Sequence, residues 1–163
     1  MGNYPDFPQP GILFRDLTPV LADGPSLRTV VDEMVAPFVG QFDAVAGLEA
    51  RGFILATAAA VGAGVGVLPI RKAGKLPGHV LSESYQLEYG EATFEVSPDA
   101  LAPGSRVLIM DDVLATGGTV NAAVALIDRA GWEVVGVSVA LEISALNARD
   151  RMGRLALHSL LAV

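Results

Sequence analysis

The stretch from Arg106 to Thr119 constrains the fold most, because two acids and a glycine turn follow a short apolar run. Val107–Met110 is continuously apolar, as is typical of a central parallel strand that is covered on both faces. Asp111 and Asp112 come directly after it. Ligands of open parallel sheets bind at the carboxyl edge of the strands, so we expect the chemistry of this chain at that edge.

A helix is predicted to begin at the glycine turn. Behind the turn, apolar residues repeat with a helical period at Val120, Ala123, Val124 and Ile127. Free N–H groups and the positive end of the helix dipole then converge on Thr116–Thr119, which predicts a phosphate site. The stretch has neither the Gly-Lys-Ser/Thr of a nucleoside-triphosphate loop nor the Gly-x-Gly-x-x-Gly of a dinucleotide fold. On the motif alone, an ordinary strand-to-helix turn with solvated aspartates is the alternative.

Composition limits the classes of function. The chain has 163 residues, 52% of them hydrophobic, and a mean hydropathy of +0.47, which fits one domain with a sizeable core. Its net charge of −7 argues against a broad nucleic-acid surface, which needs clustered Lys and Arg. The absence of cysteine excludes disulfides and thiolate metal sites, and is compatible with a reducing cytoplasm.

Two segments are candidates for signal or membrane sequences. The N-terminus has neither the basic nor the apolar region of a secretory signal, and its prolines favour an extended, turn-rich arm over regular structure in residues 1–16. Residues 52–70 are uncharged and approach membrane-spanning length. Glycines and Pro69 interrupt them, so a buried helix, a turn and a buried strand are the simpler interpretation.

Helices and strands are predicted to alternate along most of the chain, as in an α/β fold with a mostly parallel sheet. The predicted elements are a helix with Pro25 in its first turn, a strand at Ala44–Leu48, a helix at Gly52–Ala63, a strand at Val65–Ile70, a projecting hairpin of Val80–Gln86 and Ala92–Val96, a strand at Trp132–Leu141, a polar helix at Ser144–Met152 and a strand at Leu157–Val163.

Cations follow two of the predicted strands. Arg51 lies where a helix begins, and a cation there opposes the helix dipole unless an anion is bound, which suggests a second phosphate site. The alternative is that Arg51 pairs with Glu49. Arg71, Lys72 and Lys75 fall within five positions after a strand, which favours anion binding over the alternative of a solvated basic loop.

The Asp-Asp and Thr-Gly-Gly-Thr stretch closely resembles the phosphoribosyl-diphosphate (PRPP) signature of the type I phosphoribosyltransferases. Further segments resemble the adenine-specific members of that family. They are Pro-Gly-Ile-Leu-Phe-Arg-Asp at 10–16, Gly-Leu-Glu-Ala-Arg-Gly-Phe at 47–53, Arg-Lys-Ala-Gly-Lys-Leu-Pro-Gly at 71–78 and Ser-Tyr-Gln-Leu-Glu-Tyr-Gly at 84–90. The resemblance covers most of residues 10–119.

The resemblance implies roles for particular residues. Glu88 would be the catalytic acid of a mobile loop, whereas its spacing alone favours a solvated loop acid. Asp111 and Asp112 would be catalytic and face the ribose hydroxyls and the cationic ring. The 5-phosphate would be held by Ala115, Thr116, Gly117, Gly118 and Thr119. The diphosphate would be held by Arg51, Arg71, Lys72 and Lys75.

The base would lie under an N-terminal hood. By resemblance, Phe14 would pack on the purine face, and backbone groups near Leu13 and Arg15 would bind its edge. Without the resemblance, Phe14 is better interpreted as a core anchor, because apolar rings are usually buried for packing.

The resemblance also implies a type I phosphoribosyltransferase fold, which is Rossmann-like. A mostly parallel central sheet is flanked by helices, with the hood arm and a projecting, flexible β-hairpin. Residues 1–163 would form one domain, in which 1–24 are the hood arm and 71–97 the basic loop and catalytic hairpin. Mg²⁺ would be held mainly by PRPP, with no direct protein ligand. The protein would be a cytoplasmic homodimer whose partners are adenine and PRPP, with no nucleic acid and no membrane.

The implied reaction transfers ribose 5-phosphate from PRPP to N9 of adenine, giving AMP and diphosphate. Three alternatives stay open at this point. A phosphoribosyltransferase for a 6-oxopurine or xanthine would share the PRPP motif. A PRPP-sensing regulator would be expected to carry a nucleic-acid-binding extension or a basic face. A structural subunit that kept only the fold would not need the loop cations.

Overall fold

A computed structural model of the chain describes residues 2–6, 10, 13–86 and 90–163, with the backbone alone at Leu13 and Phe14. Its strands are β1 (Gly2–Pro5), β2 (Leu13–Asp16), β3 (Ala44–Leu48), β4 (Gly66–Lys72), β5 (Leu81–Gln86), β6 (Glu91–Val96), β7 (Arg106–Leu114), β8 (Glu133–Glu142) and β9 (Leu157–Ala162). Its α-helices are α1 (Thr18–Leu21), α2 (Gly24–Val35), α3 (Gly52–Ala63), α4 (Gly118–Arg129) and α5 (Ala148–Arg151), and short 3₁₀ turns lie at Ala36–Phe38 and Ser144–Leu146.

Seven strands form one sheet in the order β5-β6-β4-β3-β7-β8-β9. The five strands from β4 to β9 in this order are parallel, and the β5–β6 hairpin adds to one edge in antiparallel orientation. The mostly parallel sheet predicted from the sequence is therefore confirmed. The chain moves outward from β3 to β4 on one side, and from β7 to β9 on the other. The topological switch point lies between β3 and β7, where ligands of such sheets bind.

The sheet separates two hydrophobic cores. Val107 and Ile109 of β7 belong to the core that packs under α4, whereas Leu108 and Met110 belong to the core under α2 and α3. All four side chains are fully buried. The continuous apolar run thus arises because both faces of the central strand are covered by helices.

The predicted first turn of α2 is confirmed. Asp23 precedes the helix, and its carboxylate accepts a hydrogen bond of 2.9 Å from the Ser26 N–H. Pro25 occupies the first turn, where its missing N–H costs no helical hydrogen bond. The helix packs Val31 and Met34 into the second core.

The N-terminal arm differs from the prediction of an irregular segment. β1 and β2 pair as a two-stranded antiparallel sheet, from Gly2 opposite Asp16 to Pro5 opposite Leu13. The prolines do not prevent this, because Pro5 lies at the end of its strand, where a missing donor costs little.

Three element boundaries also differ from the predictions. β4 continues through Arg71 and Lys72, because β6 supplies Glu95 and Phe94 as pairing partners. β7 continues through both acids to Leu114 by pairing with β8. The helix predicted at Ser144–Met152 is wrong as one element, since Asn147 adopts a left-handed φ of 49° between a 3₁₀ turn and the four-residue α5.

No helix in the described part of the chain combines the length and the apolar character that a membrane crossing requires.

Candidate active site

The ends of β3 and β7 meet at the switch point. Arg51 follows β3 and is the residue before α3, and its Nη2 lies 2.8 Å from Oδ2 of Asp112 on β7. Asp112 is only 7% exposed, so its charge has little contact with water. The structure therefore joins two of the predicted site residues. Glu49, the alternative partner of Arg51, accepts hydrogen bonds from the Lys72 N–H and from Arg71.

Gly52 allows this close approach of α3 to β7. A Cβ at this position would lie 2.8 Å from the Met110 carbonyl oxygen and 2.9 Å from Oδ1 of Asp111. Both distances are shorter than a normal contact between carbon and oxygen. The first residue of α3 consequently has to lack a side chain if the helix is to begin directly against the acid pair.

Asp111 lies in a different electrostatic environment from Asp112. Burial, and then the negative charge of Asp112, raise the pKa of the Asp111 carboxyl well above its ordinary value. Its Oδ1 accepts a 2.9 Å hydrogen bond from the Asp112 N–H. The Tyr85 phenol is close enough for its own pKa to be raised, first by burial and then by the charge of Asp111. One acid is thus paired with a cation, whereas the other has a raised pKa and is protonated more easily than an ordinary aspartate.

The predicted phosphate turn lies at the start of α4. Gly117 has a left-handed φ of 85° and precedes the helix, which begins at Gly118. Among the described residues, no acceptor takes a hydrogen bond from the backbone N–H of Ala115, Thr116 or Gly117. These donors and the N-terminus of a 12-residue helix form a suitable anion site. Thr116 is exposed and Thr119 half-buried, so both lie near solvent.

Glu49 organises the basic segment after β4. Its Oε2 accepts a 2.9 Å hydrogen bond from the Lys72 N–H and a 3.3 Å bond from Nε of Arg71. The pKa of the Glu49 carboxyl is lowered overall. The hydrogen bond from the Lys72 N–H has the largest effect and lowers it, desolvation raises it, and Arg71 lowers it further. Arg71 also donates to the Lys75 carbonyl over 3.4 Å. Arg71 is therefore held beside the end of β3, whereas the Lys72 and Lys75 side chains are exposed.

The hairpin ends beside the phosphate turn. A Cβ on Gly118 would lie 3.0 Å from the Gln86 carbonyl oxygen and 3.7 Å from Cδ2 of Tyr85. Tyr85 is anchored by Phe94, with ring centroids 4.8 Å apart. The chain that leaves β5 toward Glu88 starts at this point. Glu88 itself lies outside the described residues.

The hood arm approaches the site through its last residue. The pKa of the Asp16 carboxyl is lowered mainly by a hydrogen bond from Thr18, and Arg51 adds an electrostatic contribution. The end of β2 is thus close to the loop after β3. Arg15 is half-buried in β2, while the side chains of Leu13 and Phe14 lie outside the described residues.

The sequence prediction missed three contributors. Gly52 has a packing role that no local pattern indicates. Tyr85 belongs to the hairpin motif at 84–90. Its burial beside Asp111, however, depends on how the hairpin packs on α4. Glu49 was considered only as a partner of Arg51, since neighbours in sequence were the only partners visible.

No group of three His, Asp or Glu side chains comes together within the described ranges to form a metal cluster. Asp111 and Asp112 are the carboxylates on β7 at the switch point.

Comparison with known proteins agrees with this geometry. The family described as "Phosphoribosyl transferase domain" matches residues 20–157. An adenine phosphoribosyltransferase of Clavibacter michiganensis subsp. michiganensis is 67% identical over 150 residues, which is 92% of this chain and 85% of that protein.

Solved structures of similar proteins have the same fold. The adenine phosphoribosyltransferase of Rhodothermus marinus has a TM-score of 0.93 at 47% identity, covering 99% of this chain and 93% of that one. The Saccharomyces cerevisiae enzyme, solved with adenine and an imino-altritol bisphosphate, has a TM-score of 0.92 at 34% identity, covering 98% and 93%. This chain belongs to the type I phosphoribosyltransferase family, within its adenine phosphoribosyltransferase branch.

Proposed function

We propose that this protein transfers ribose 5-phosphate from PRPP to N9 of adenine, giving AMP and diphosphate in purine salvage. The observation that carries this proposal is the meeting of two anion-binding helix starts and an acid pair at the switch point. Arg51 lies 2.8 Å from Asp112 at the start of α3, and the turn before α4 presents free backbone donors. A substrate with two phosphate groups on either side of a ribose fits such a site.

Ala115, Thr116, Gly117, Gly118 and Thr119 hold the 5-phosphate in this proposal. The N–H groups of the turn and the dipole of α4 stabilise the negative charge, and the threonine hydroxyls add donors. Gly117 is required because the chain must adopt a φ of 85° to aim these donors at one point.

Arg51, Arg71, Lys72 and Lys75 stabilise the diphosphate as it leaves. Arg51 is at the start of α3, and Arg71 is held beside it by Glu49. Lys72 and Lys75 are exposed on the adjoining segment and can move toward a bound anion. The reaction breaks the bond between C1′ and diphosphate oxygen, so positive charge here stabilises the leaving group in the transition state.

Asp111 and Asp112 act on the ribose. The bond from N9 to C1′ forms as the diphosphate departs, and the ring passes through an oxocarbenium-like state. Carboxylates beside this ring stabilise its charge and bind the ribose hydroxyls. The pKa of Asp111 is raised in the free site, and an approaching cation lowers it and so favours the ionised form.

Mg²⁺ fits the oxygen-rich edge of the site. This ion prefers oxygen ligands, keeps several waters and is commonly bound by substrate phosphates with one or two carboxylates. When bound to PRPP it neutralises the diphosphate and supplies Lewis-acid stabilisation. Asp111 and Asp112 are the carboxylates that can approach the ion. In the free site, Arg51 neutralises the charge of Asp112.

The base lies between the hood arm and the loop that carries Glu88 in this proposal. Backbone groups near Leu13 and Arg15 bind the edge of adenine, and Phe14 packs on its face. Glu88 accepts the N9 proton or, when ionised, stabilises the ribose cation. Two observations support this arrangement. Asp16 ends the arm close to Arg51, and β5 ends against Gly118, next to the 5-phosphate site.

The function is tested by incubating the protein with Mg²⁺, PRPP and each of adenine, hypoxanthine, guanine and xanthine. Nucleotide formation and diphosphate release are measured. Adenine should be strongly preferred, because a site built for an exocyclic amine leaves buried groups unpaired with a 6-oxo base. Comparable kcat/KM values for adenine and hypoxanthine would contradict the base assignment. PRPP binding without turnover would instead favour a sensor.

We also propose that the protein is a homodimer. α3 is apolar on all sides and leaves Ile54 46% and Val61 76% exposed, with Val67 of β4 42% exposed. A groove of about 640 Å³ runs between α2 and α3 beside Ile54 and Val61. Exposed apolar surface of this kind marks an interaction site. Val61→Glu should convert a dimer to a monomer in analytical ultracentrifugation, and a wild-type monomer at micromolar concentration would contradict the proposal.

The organisation of the chain as one catalytic domain is part of the same proposal. Residues 1–163 act as one unit, with 1–24 as the hood arm and 71–97 as the basic loop and catalytic hairpin. The cytoplasm is the proposed location, and this rests on the family resemblance and on the lack of cysteine.

A further inference from the structure

A buried acid outside the reaction site lies on the same edge of the sheet. Glu142 ends β8 and is 7% exposed, although glutamate is seldom buried without a partner. Its Oε1 and Oε2 accept hydrogen bonds of 3.1 and 2.6 Å from Nε and Nη2 of Arg149. The Ser159 hydroxyl donates to Oε2 over 2.8 Å. None of these groups has a role in the proposed reaction.

Arg149 ties α5 to two strands at once. Besides its paired bonds to Glu142 on β8, it donates from Nη1 to the Leu157 carbonyl over 3.0 Å and from Nη2 to the Ser159 hydroxyl over 3.2 Å, both on β9. α5 has only four residues, too few to be stable as an isolated helix. Its position therefore depends on such anchors.

The anchored segment forms the floor beneath the phosphate turn. Ala148 and Met152 are buried in the core under α4. A Cβ on Gly117 would clash with the Met152 methyl group and would lie 3.5 Å from Cβ of Ala148. The left-handed residue that aims the turn is thus packed directly on this segment. A shift of α5 would move the backbone donors of the turn.

We infer that the Glu142–Arg149–Ser159 cluster is a positioning device for the phosphate turn, which sets the affinity for the 5-phosphate of PRPP through α5 and Met152. The inference rests on the proposed role of residues 115–119. The Glu142 side chain is 9% exposed but that of Arg149 is 50% exposed, so the ion pair is partly solvated and by itself weak support for stability. It is best explained here by the geometry that it fixes.

The matched control is the ion pair of Arg106 with Asp43. It has the same two-bond geometry, at 3.1 and 2.7 Å, but lies at the start of β7, the opposite edge of the sheet.

Arg149→Met should weaken the binding of ribose 5-phosphate and raise KM for PRPP by about tenfold or more, since small misplacements can cost up to about 10²-fold. The KM for adenine should stay near the wild-type value. Arg149→Lys should recover part of the lost affinity. Arg106→Met should lower Tm without changing the KM for either substrate.

Calorimetric titration with ribose 5-phosphate and steady-state kinetics provide the readouts. Wild-type affinity for ribose 5-phosphate in a folded Arg149→Met protein would overturn the inference. If that variant does not fold, Met152→Ala tests the floor directly, and unchanged affinity in it has the same meaning. This outcome differs from failure of the proposed 5-phosphate site itself. If residues 115–119 did not hold the 5-phosphate, the wild-type protein would bind AMP no more tightly than adenosine.

Discussion

Replacing Gly52 by alanine tests whether the contact between α3 and β7 sets the geometry of the site. The added Cβ would lie 2.8 Å from the Met110 carbonyl oxygen and 2.9 Å from Oδ1 of Asp111. Normal carbon–oxygen contacts are longer by about half an ångström, because atoms repel steeply inside their optimal separation. The helix start, or β7, must therefore move by about that distance. Either movement disturbs Arg51, which precedes the helix, and Asp111.

The cost in stability is the difference between two terms. Overpacking at a well-packed position typically destabilises by about 1–3 kcal/mol. Alanine in place of glycine in a helix recovers up to about 1 kcal/mol. We expect a net loss of about 1–2 kcal/mol, which corresponds to a fall in Tm of roughly 2–8 °C in a chain of this size. The loss of kcat/KM for PRPP should be larger than the loss of stability alone suggests. Displacement of a positioned group can reduce kcat/KM by up to about 10²-fold.

The control is Gly62→Ala in the last turn of the same helix. No atom of the described residues lies within 4 Å of a Cβ at this position, so the substitution brings only the gain in helix propensity. Its Tm should be equal to or higher than that of the wild type, with unchanged kinetics. Both variants are measured by thermal unfolding and by initial rates at varied PRPP. A Gly52→Ala protein with wild-type Tm and wild-type KM for PRPP would refute the packing argument.

The remaining predictions concern single charged groups. Because burial and Asp112 raise the folded-state pKa of Asp111, the native protein holds this proton more tightly than the unfolded chain, so the free energy of unfolding should fall as pH rises above 3.8 through the folded-state pKa. Asp111→Asn should stabilise the protein at neutral pH and flatten this dependence in urea titrations, and an unchanged slope would contradict the assignment. Glu88→Ala should lower kcat by about 10²–10⁴-fold and Glu91→Ala by little, while Glu88→Gln shows whether charge is needed; wild-type single-turnover rates in both Glu88 variants would make it a solvated loop acid. Lys75→Ala should raise KM for PRPP more than KM for adenine, and equal effects would favour a solvated basic loop.

The sequence predicted the elements that are mostly apolar along their whole length. The Ala44–Leu48 strand and the Gly52–Ala63 helix have the predicted bounds. Both segments are uncharged, and their ends are marked by polar residues or by glycine. In such segments, burial alone determines the element, so no knowledge of neighbours is needed.

Boundaries that depend on tertiary pairing were not predictable in this way. Arg71 and Lys72 look like the start of a loop, but they become part of β4 because a hairpin from later in the chain pairs with them. In the segment after β8, polar residues with moderate helix propensity gave no sign that Asn147 would adopt a left-handed conformation. Local propensity is a weak prior against such contacts.

The site shows the same division. Its residue types could be proposed from the sequence, because phosphate is commonly bound by glycine-rich turns, backbone donors and cations. Its pairings could not, since Arg51 and Asp112 lie far apart in sequence, and Glu49 is nearer to Arg51 along the chain than to Arg71. Which acid neutralises which cation depends on strand order, and strand order is a property of the whole sheet.

Two of the four cations proposed to hold the diphosphate, Arg51 and Arg71, already have acid partners in the free protein. Arg51 lies 2.8 Å from Asp112, and Arg71 lies 3.3 Å from Glu49. An arriving diphosphate must compete with these acids, so its net affinity is a difference between two ion-pair energies. Inorganic phosphate, with fewer charges and no ribose, should compete poorly. In the proposed function, Arg51 would turn toward the diphosphate, and the carboxylate of Asp112 would lose its partner at the point where the ribose becomes cationic. On this proposal, the same ion pair would limit nonspecific anion binding in the free site and release negative charge where the transition state needs it.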